Sequence, residues 1–138
     1  MPWVFDPHSG GVKIPKAVQE RTRQRILDYA EKHYKGKYTS LDIRFRGALC
    51  YIDAYTEPFA SESWKPTKDW PETREQMIER RRRVPLHLVR LRYFQENRWS
   101  LAFFTYSDEK YTPSVFHTGD VHGTPEEAFE IGAVYLQD

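Results

Sequence analysis

Cysteine is almost missing from this chain. Cys50 stands alone among 138 residues, which excludes an internal disulfide and makes a reducing compartment, the cytoplasm, the expected setting. Long apolar runs are missing too, so no stretch approaches a membrane span, and Met1-Pro2-Trp3-Val4-Phe5-Asp6 has neither the basic start nor the apolar core of a secretory signal. Neither sign of charge is in surplus. Lys and Arg number 21 against 20 Asp and Glu, a formal net charge of +1, and this excludes the broad positive field of a dedicated DNA binder. Any cationic site must therefore be a local patch. With only 7 glycines the chain carries no glycine-rich phosphate loop; it also lacks a nucleophile elbow, repeats, heptads and low-complexity tracts. No motif names a cofactor.

What the chain does have is aromatic rings, 15% of its residues, and enough length to bury them. Residues 1–138 read as a single domain, with an extended arm over 1–14, broken by Pro2, Pro7, Gly10 and Gly11 and packed through Trp3 and Phe5. Pro15 opens a helix running to about Tyr34, in which Val18, Thr22, Ile26, Tyr29 and His33 recur at three- and four-residue steps. From Tyr38 the period becomes two, with Leu41, Ile43 and Phe45 on one side and Asp42, Arg44 and Arg46 on the other. Gly47-Ala48 suits a two-residue type II′ turn, and counting back from it pairs Phe45 with Cys50, Ile43 with Ile52, Leu41 with Ala54, Arg46 with Leu49 and Arg44 with Tyr51.

Residues 56–70 show no period and read as a long surface loop, a segment of the kind that often carries a lid or a partner contact. A short charged helix follows from Pro71 to about Arg83. Leu86 to Phe94 and Trp99 to Tyr106 form a second hairpin around Glu96-Asn97. A regular two-residue loop there sets Val89, Leu91 and Tyr93 with Ser100, Ala102 and Phe104, and leaves Arg90 and Arg92 beside Leu101 and Phe103. A further strand through Tyr111 to Phe116 contains Pro113 and so belongs at an edge. Thr124-Pro125-Glu126-Glu127 combines an N-cap threonine, a first-turn proline and a capping-box glutamate ahead of Ala128, Phe129, Ile131, Val134, Tyr135 and Leu136, a helix that packs on the sheet. The expected fold is α+β: a mainly antiparallel sheet of about five strands with N- and C-terminal helices on one face. Tyr106-Ser107-Asp108-Glu109-Lys110-Tyr111-Thr112-Pro113, followed by Gly123-Thr124-Pro125-Glu126-Glu127-Ala128-Phe129, resembles the tail of small bacterial proteins of uncharacterised function. That resemblance extends into the strand from Trp99 to Tyr106 and transfers no functional residues.

Two arrangements are candidate sites. Arg44 and Arg46 alternate with apolar residues, as do Arg90 and Arg92, and Arg81 and Arg82 belong to a run of four arginines; together with Tyr51 and Trp99, and with Trp70 and Tyr93 nearby, they form a candidate binding surface able to follow phosphates and stack on unpaired bases. Pairing of the helical arginines with Glu72, Glu75 and Glu79, and of Arg44 and Arg46 with nearby acids including Asp42, Asp53 and Glu57, explains the same residues without a ligand. His117, Asp120 and His122 share one short loop and are a sensible donor set for Zn²⁺ or another transition metal, with His8 or His87 to complete it. The same letters describe a turn into a capped helix. Cys50, on the apolar side of its strand, is expected to be buried and unreactive.

The leading expectation is a small cytoplasmic, non-catalytic binding or interaction protein. It would use the arginine-aromatic sheet face, the middle loop and the middle helix, with nucleic acid or protein as partner and no membrane. The alternative is a metal-dependent hydrolase or nuclease built on His117, Asp120 and His122. Self-association through the aromatic strands is the third reading.

Overall fold

The computed structural model describes residues 9–58 and 67–136. The packing expected of Trp3 and Phe5, the placement of His8, and residues 59–66 of the long loop lie outside the described residues. The elements in chain order are α1 (Lys16–Tyr34), β1 (Ser40–Arg46), β2 (Leu49–Tyr55), α2 (Arg74–Arg83), β3 (Leu86–Gln95), β4 (Arg98–Thr105), β5 (Lys110–Ser114) and α3 (Pro125–Gly132), which tightens into a 3₁₀ turn over Ala133–Leu136. The strands form one antiparallel sheet in the order β1-β2-β3-β4-β5, so the architecture is α+β.

The first hairpin has the register that its turn chemistry implies, from Arg46 opposite Leu49 to Leu41 opposite Ala54. Gly47 sits at φ 59°, the positive value that a side chain would resist. The second hairpin departs from expectation by one residue. A bulge between Tyr93 and Gln95 takes Phe94 out of the ladder, so Tyr93 faces Trp99, Leu91 faces Leu101 and Val89 faces Phe103. Because side chains alternate, this single extra residue turns every side chain of β4 to the opposite face from that of a regular hairpin. Trp99, Leu101 and Phe103 point inward with Val89 and Leu91; Ser100, Ala102 and Phe104 share the other face with Arg90 and Arg92.

Helices α1 and α3 cover the inner face. The core joins Ile43, Cys50, Ile52, Leu91, Trp99 and Leu101 of the sheet to Ile26 and Ala30 of α1 and Ala128 and Phe129 of α3. In α1 the buried stripe runs Val18, Thr22, Ile26, Ala30, Tyr34, a strict four-residue step, so Tyr29 and His33 lie beside it rather than within it. Burial pushes the Cys50 thiol well above its ordinary range, as an inert core cysteine requires. At the start of β4, Trp99 exchanges backbone hydrogen bonds with Gly123, and a Cβ at Gly123 would lie 2.7 Å from the Phe116 ring. α3 begins with the anticipated box, Thr124 accepting from the Glu127 amide and Glu127 accepting from that of Thr124. The middle helix starts at Arg74 instead of Pro71, because Thr73 and Gln76 close a capping box there. It buries Met77. Among the described residues no helix is long and apolar enough to cross a membrane.

Polar bonds lock α1 to α3. Arg25 grips Glu126 with two nitrogens at 2.9 and 2.7 Å, and the hydroxyls of Tyr29 and Tyr34 each donate to Glu130 at 2.6 Å. Burial works to raise the Glu130 carboxyl, but the two phenols, with His117 and His33 nearby, outweigh it and hold the group below its ordinary value. A carboxyl lowered in the folded state stabilises the fold above the unfolded value, and the contribution disappears as pH falls through the folded one. Thermal melts across about pH 5 to 3 should therefore show a steeper loss of Tm in the wild type than in Glu130→Gln. Parallel curves would mean that Glu130 carries no acid-sensitive stability.

Candidate functional site: the outer face of the sheet

The register places four arginines on the face opposite α1 and α3. Arg44 lies opposite Tyr51, which lies opposite Arg90; Arg46 lies opposite Leu49, which lies opposite Arg92. With strands about 4.8 Å apart and alternate residues about 6.8 Å apart along a strand, the four Cα positions mark a rectangle of roughly 10 by 7 Å, with Tyr51 and Leu49 along its midline. Arg44 remains half exposed.

Most of the other described arginines have a carboxylate partner. Arg21 pairs with Glu96, Arg25 with Glu126, Arg80 with Glu72, Arg83 with Glu79, and Arg82 with both Glu57 and Glu79. Among the described residues Arg46, Arg90 and Arg92 have no carboxylate partner; Arg92 instead donates to the carbonyl of Gly10. Three arginines without a carboxylate partner are thus grouped on one face of the sheet. Arg81 and Arg82 belong to α2 rather than to the sheet, and Arg82 is paired with Glu57 and Glu79.

Trp99 is a correction. It is 0% exposed, packed against Tyr93 on the inner face, and cannot meet a ligand there; the bulge after Tyr93 is the physical reason. Trp70 is exposed, in the turn ahead of α2. The rings beside the arginines on the outer face are Tyr51, expected there from the hairpin register, and Tyr111. Tyr51 and Tyr111 meet edge-on with centroids 5.7 Å apart, Arg44 lies over Tyr51 at 5.7 Å, and Arg90 lies over Tyr111 at 5.3 Å. Burial first, then the charge of Asp53, pushes the Tyr111 hydroxyl up to about 12, so it keeps its proton.

Beside these arginines lies a pair that the sequence does not single out. Asp53 is 1% exposed although it sits on the outer side of β2. One of its oxygens accepts from Arg44 at 2.8 Å, and the other lies 3.0 Å from Nδ1 of His87. A carboxylate has no proton to give, so Nδ1 carries the proton of this bond, and in the neutral ring Nε2 is then the acceptor nitrogen. The imidazole packs on Phe104, with centroids 4.8 Å apart, and stands 6.5 Å from Tyr111. Tyr106 secures the backbone beneath it by accepting from the His87 amide at 2.8 Å. A second bulge, between Ile52 and Asp53, brings Asp53 opposite His87. Its one visible trace in the chain is the doublet Leu88-Val89, both buried, which interrupts an otherwise alternating strand.

The histidine loop behaves differently. His122 packs edge-on against Phe94 at 5.2 Å, His117 lies near enough to Glu130 to lower its carboxyl, and the Asp120 amide donates to the Thr118 hydroxyl. His87 lies with Asp53, away from all three. No group of three or more His, Cys, Asp or Glu able to hold a metal ion is found among the described residues. In comparison with known proteins, no family model, curated protein or solved structure matches this chain.

Proposed function

We propose that the protein is a binding module for single-stranded nucleic acid, and that the outer sheet face is its binding surface in the cytoplasm. The observation that carries this reading is the rectangle of Arg44, Arg46, Arg90 and Arg92 around Tyr51, three of them without a carboxylate partner among the described residues. Phosphates take up the arginines, and unstacked bases stack on the guanidinium planes of Arg44 and Arg90, which lie over Tyr51 and Tyr111. A second copy of this chain is a poorer occupant. Pairing the face with itself sets arginine against arginine, and like charges across an interface cost affinity.

The test is a fluorescence titration of a labelled single-stranded oligonucleotide at several salt concentrations. Four phosphate contacts give a slope of log K against log salt of about −3 on a single strand. Reversing two unpaired corners, Arg46→Glu with Arg90→Glu, should weaken binding at least tenfold and flatten that slope. Absence of binding at low salt, or binding indifferent to the two reversals, would overturn the proposal. Stronger binding of an acidic peptide would assign the same face to a protein partner instead.

A further inference from the structure

We propose that this face also cleaves the single-stranded RNA it binds, with His87 as the base that takes the proton of a 2′-hydroxyl. The inference rests on the nucleic-acid reading above and adds a reaction to it. Binding alone gives no reason to bury a carboxylate on the outer side of a sheet and to share it between a guanidinium and an imidazole. Holding Asp53 at 1% exposure costs solvation, and Arg44 at 2.8 Å with His87 at 3.0 Å offset that cost. The outcome is an oriented histidine. Its Nδ1 is tied to the carboxylate, its ring is wedged against Phe104, and it remains 38% exposed at the edge of a phosphate-binding surface. A carboxylate on one nitrogen is the arrangement that fixes the tautomer and steadies the imidazolium when the other nitrogen takes a proton.

The reaction requires only groups on this face. Nε2 of His87 removes the proton from the 2′-oxygen, which attacks the adjacent phosphorus. The new bond is P–O2′, and the bond that breaks is P–O5′. Negative charge that builds on the non-bridging oxygens faces Arg90 and Arg44, the second of which is bonded to the same carboxylate as His87. The departing 5′-oxygen takes a proton from the Tyr111 hydroxyl, 6.5 Å from His87 between ring centroids and beneath Arg90. The products are a 2′,3′-cyclic phosphate and a 5′-hydroxyl. Proton return from His87 to Tyr111 through solvent resets the site, and neither water nor a metal ion is consumed.

The full chain, kept in excess EDTA, is incubated with three end-labelled oligonucleotides of one sequence: RNA, its 2′-O-methyl form, and DNA carrying a single ribonucleotide. We expect the RNA to be cut, the chimera to be cut only at its ribonucleotide, and the methylated strand to bind and stay intact. His87→Gln should lower the cleavage rate at least 100-fold while leaving oligonucleotide affinity within about threefold. Its fold is checked by a thermal melt. Binding without cleavage by the wild type overturns this inference and leaves the binding proposal in place. Cleavage of the methylated strand, cleavage that disappears in EDTA, or full activity in a folded His87→Gln variant overturns it as well. Failure to bind any of the three strands removes both proposals.

Discussion

Replacing Trp99 with alanine should cost about 3–5 kcal/mol of stability, the range for removing a buried indole from a core that cannot collapse around the gap. Against a stability of roughly 5–15 kcal/mol for a domain of ordinary size, this is a large share. The expectation follows from where the ring sits. Trp99 is 0% exposed, its ring lies 4.8 Å from that of Tyr93, and its indole nitrogen donates to the carbonyl of Glu96 at 2.8 Å. Its own amide and carbonyl bond Gly123, so the side chain anchors the segment that leads into α3. Urea denaturation followed by circular dichroism measures the effect, and Trp99→Phe, which retains a ring, should lose less. A change of under about 1 kcal/mol would put Trp99 among surface residues. It would reinstate the regular hairpin register in which Trp99 stands beside the arginines.

Truncation of Arg44 to alanine is expected to cost about 3 kcal/mol, although its guanidinium is half exposed. The cost comes from what remains. The Asp53 carboxyl would stay at 1% exposure with His87 as its remaining side-chain partner among the described residues, and breaking one member of a buried ion pair is costly because the other stays uncompensated. We take the low end of the usual range because water can follow the vanished side chain in from the open face. The second change is the discriminating one. Asp53→Asn in the Arg44→Ala background removes the stranded charge and should recover at least half of the lost stability, as measured by denaturant midpoints at constant m-value. Were Arg44→Ala neutral, Asp53 would have to be solvated, and the arrangement that orients His87 would lose its physical basis.

Local chemistry is legible in a single chain wherever it is self-contained. The first hairpin was readable because Gly47 supplies the positive φ and the alternation on both sides agrees with the turn. The start of α3 was readable because Thr124, Pro125 and Glu127 satisfy their own backbone amides. The α+β class followed from periods that change cleanly from helix to strand. The middle helix was displaced by three residues, since Thr73 competes with Pro71 as a start signal and has the better hydrogen bonds.

The site was only half legible. That Arg44 and Arg46 share a side of β1, and Arg90 and Arg92 a side of β3, is a matter of period two, and the sequence by itself determines it. That all four share one face was decided by tertiary structure, through strand order and register. The same level of structure sent Trp99 inward and brought Asp53 opposite His87, 34 residues away. Both outcomes depend on a bulge, one after Tyr93 and one after Ile52. A bulge is chosen by what the two faces must bury, and that choice involves α1 and α3 as much as the strands themselves. Alternation along one strand is local, whereas the identity of the core-facing side is settled only when the whole core packs.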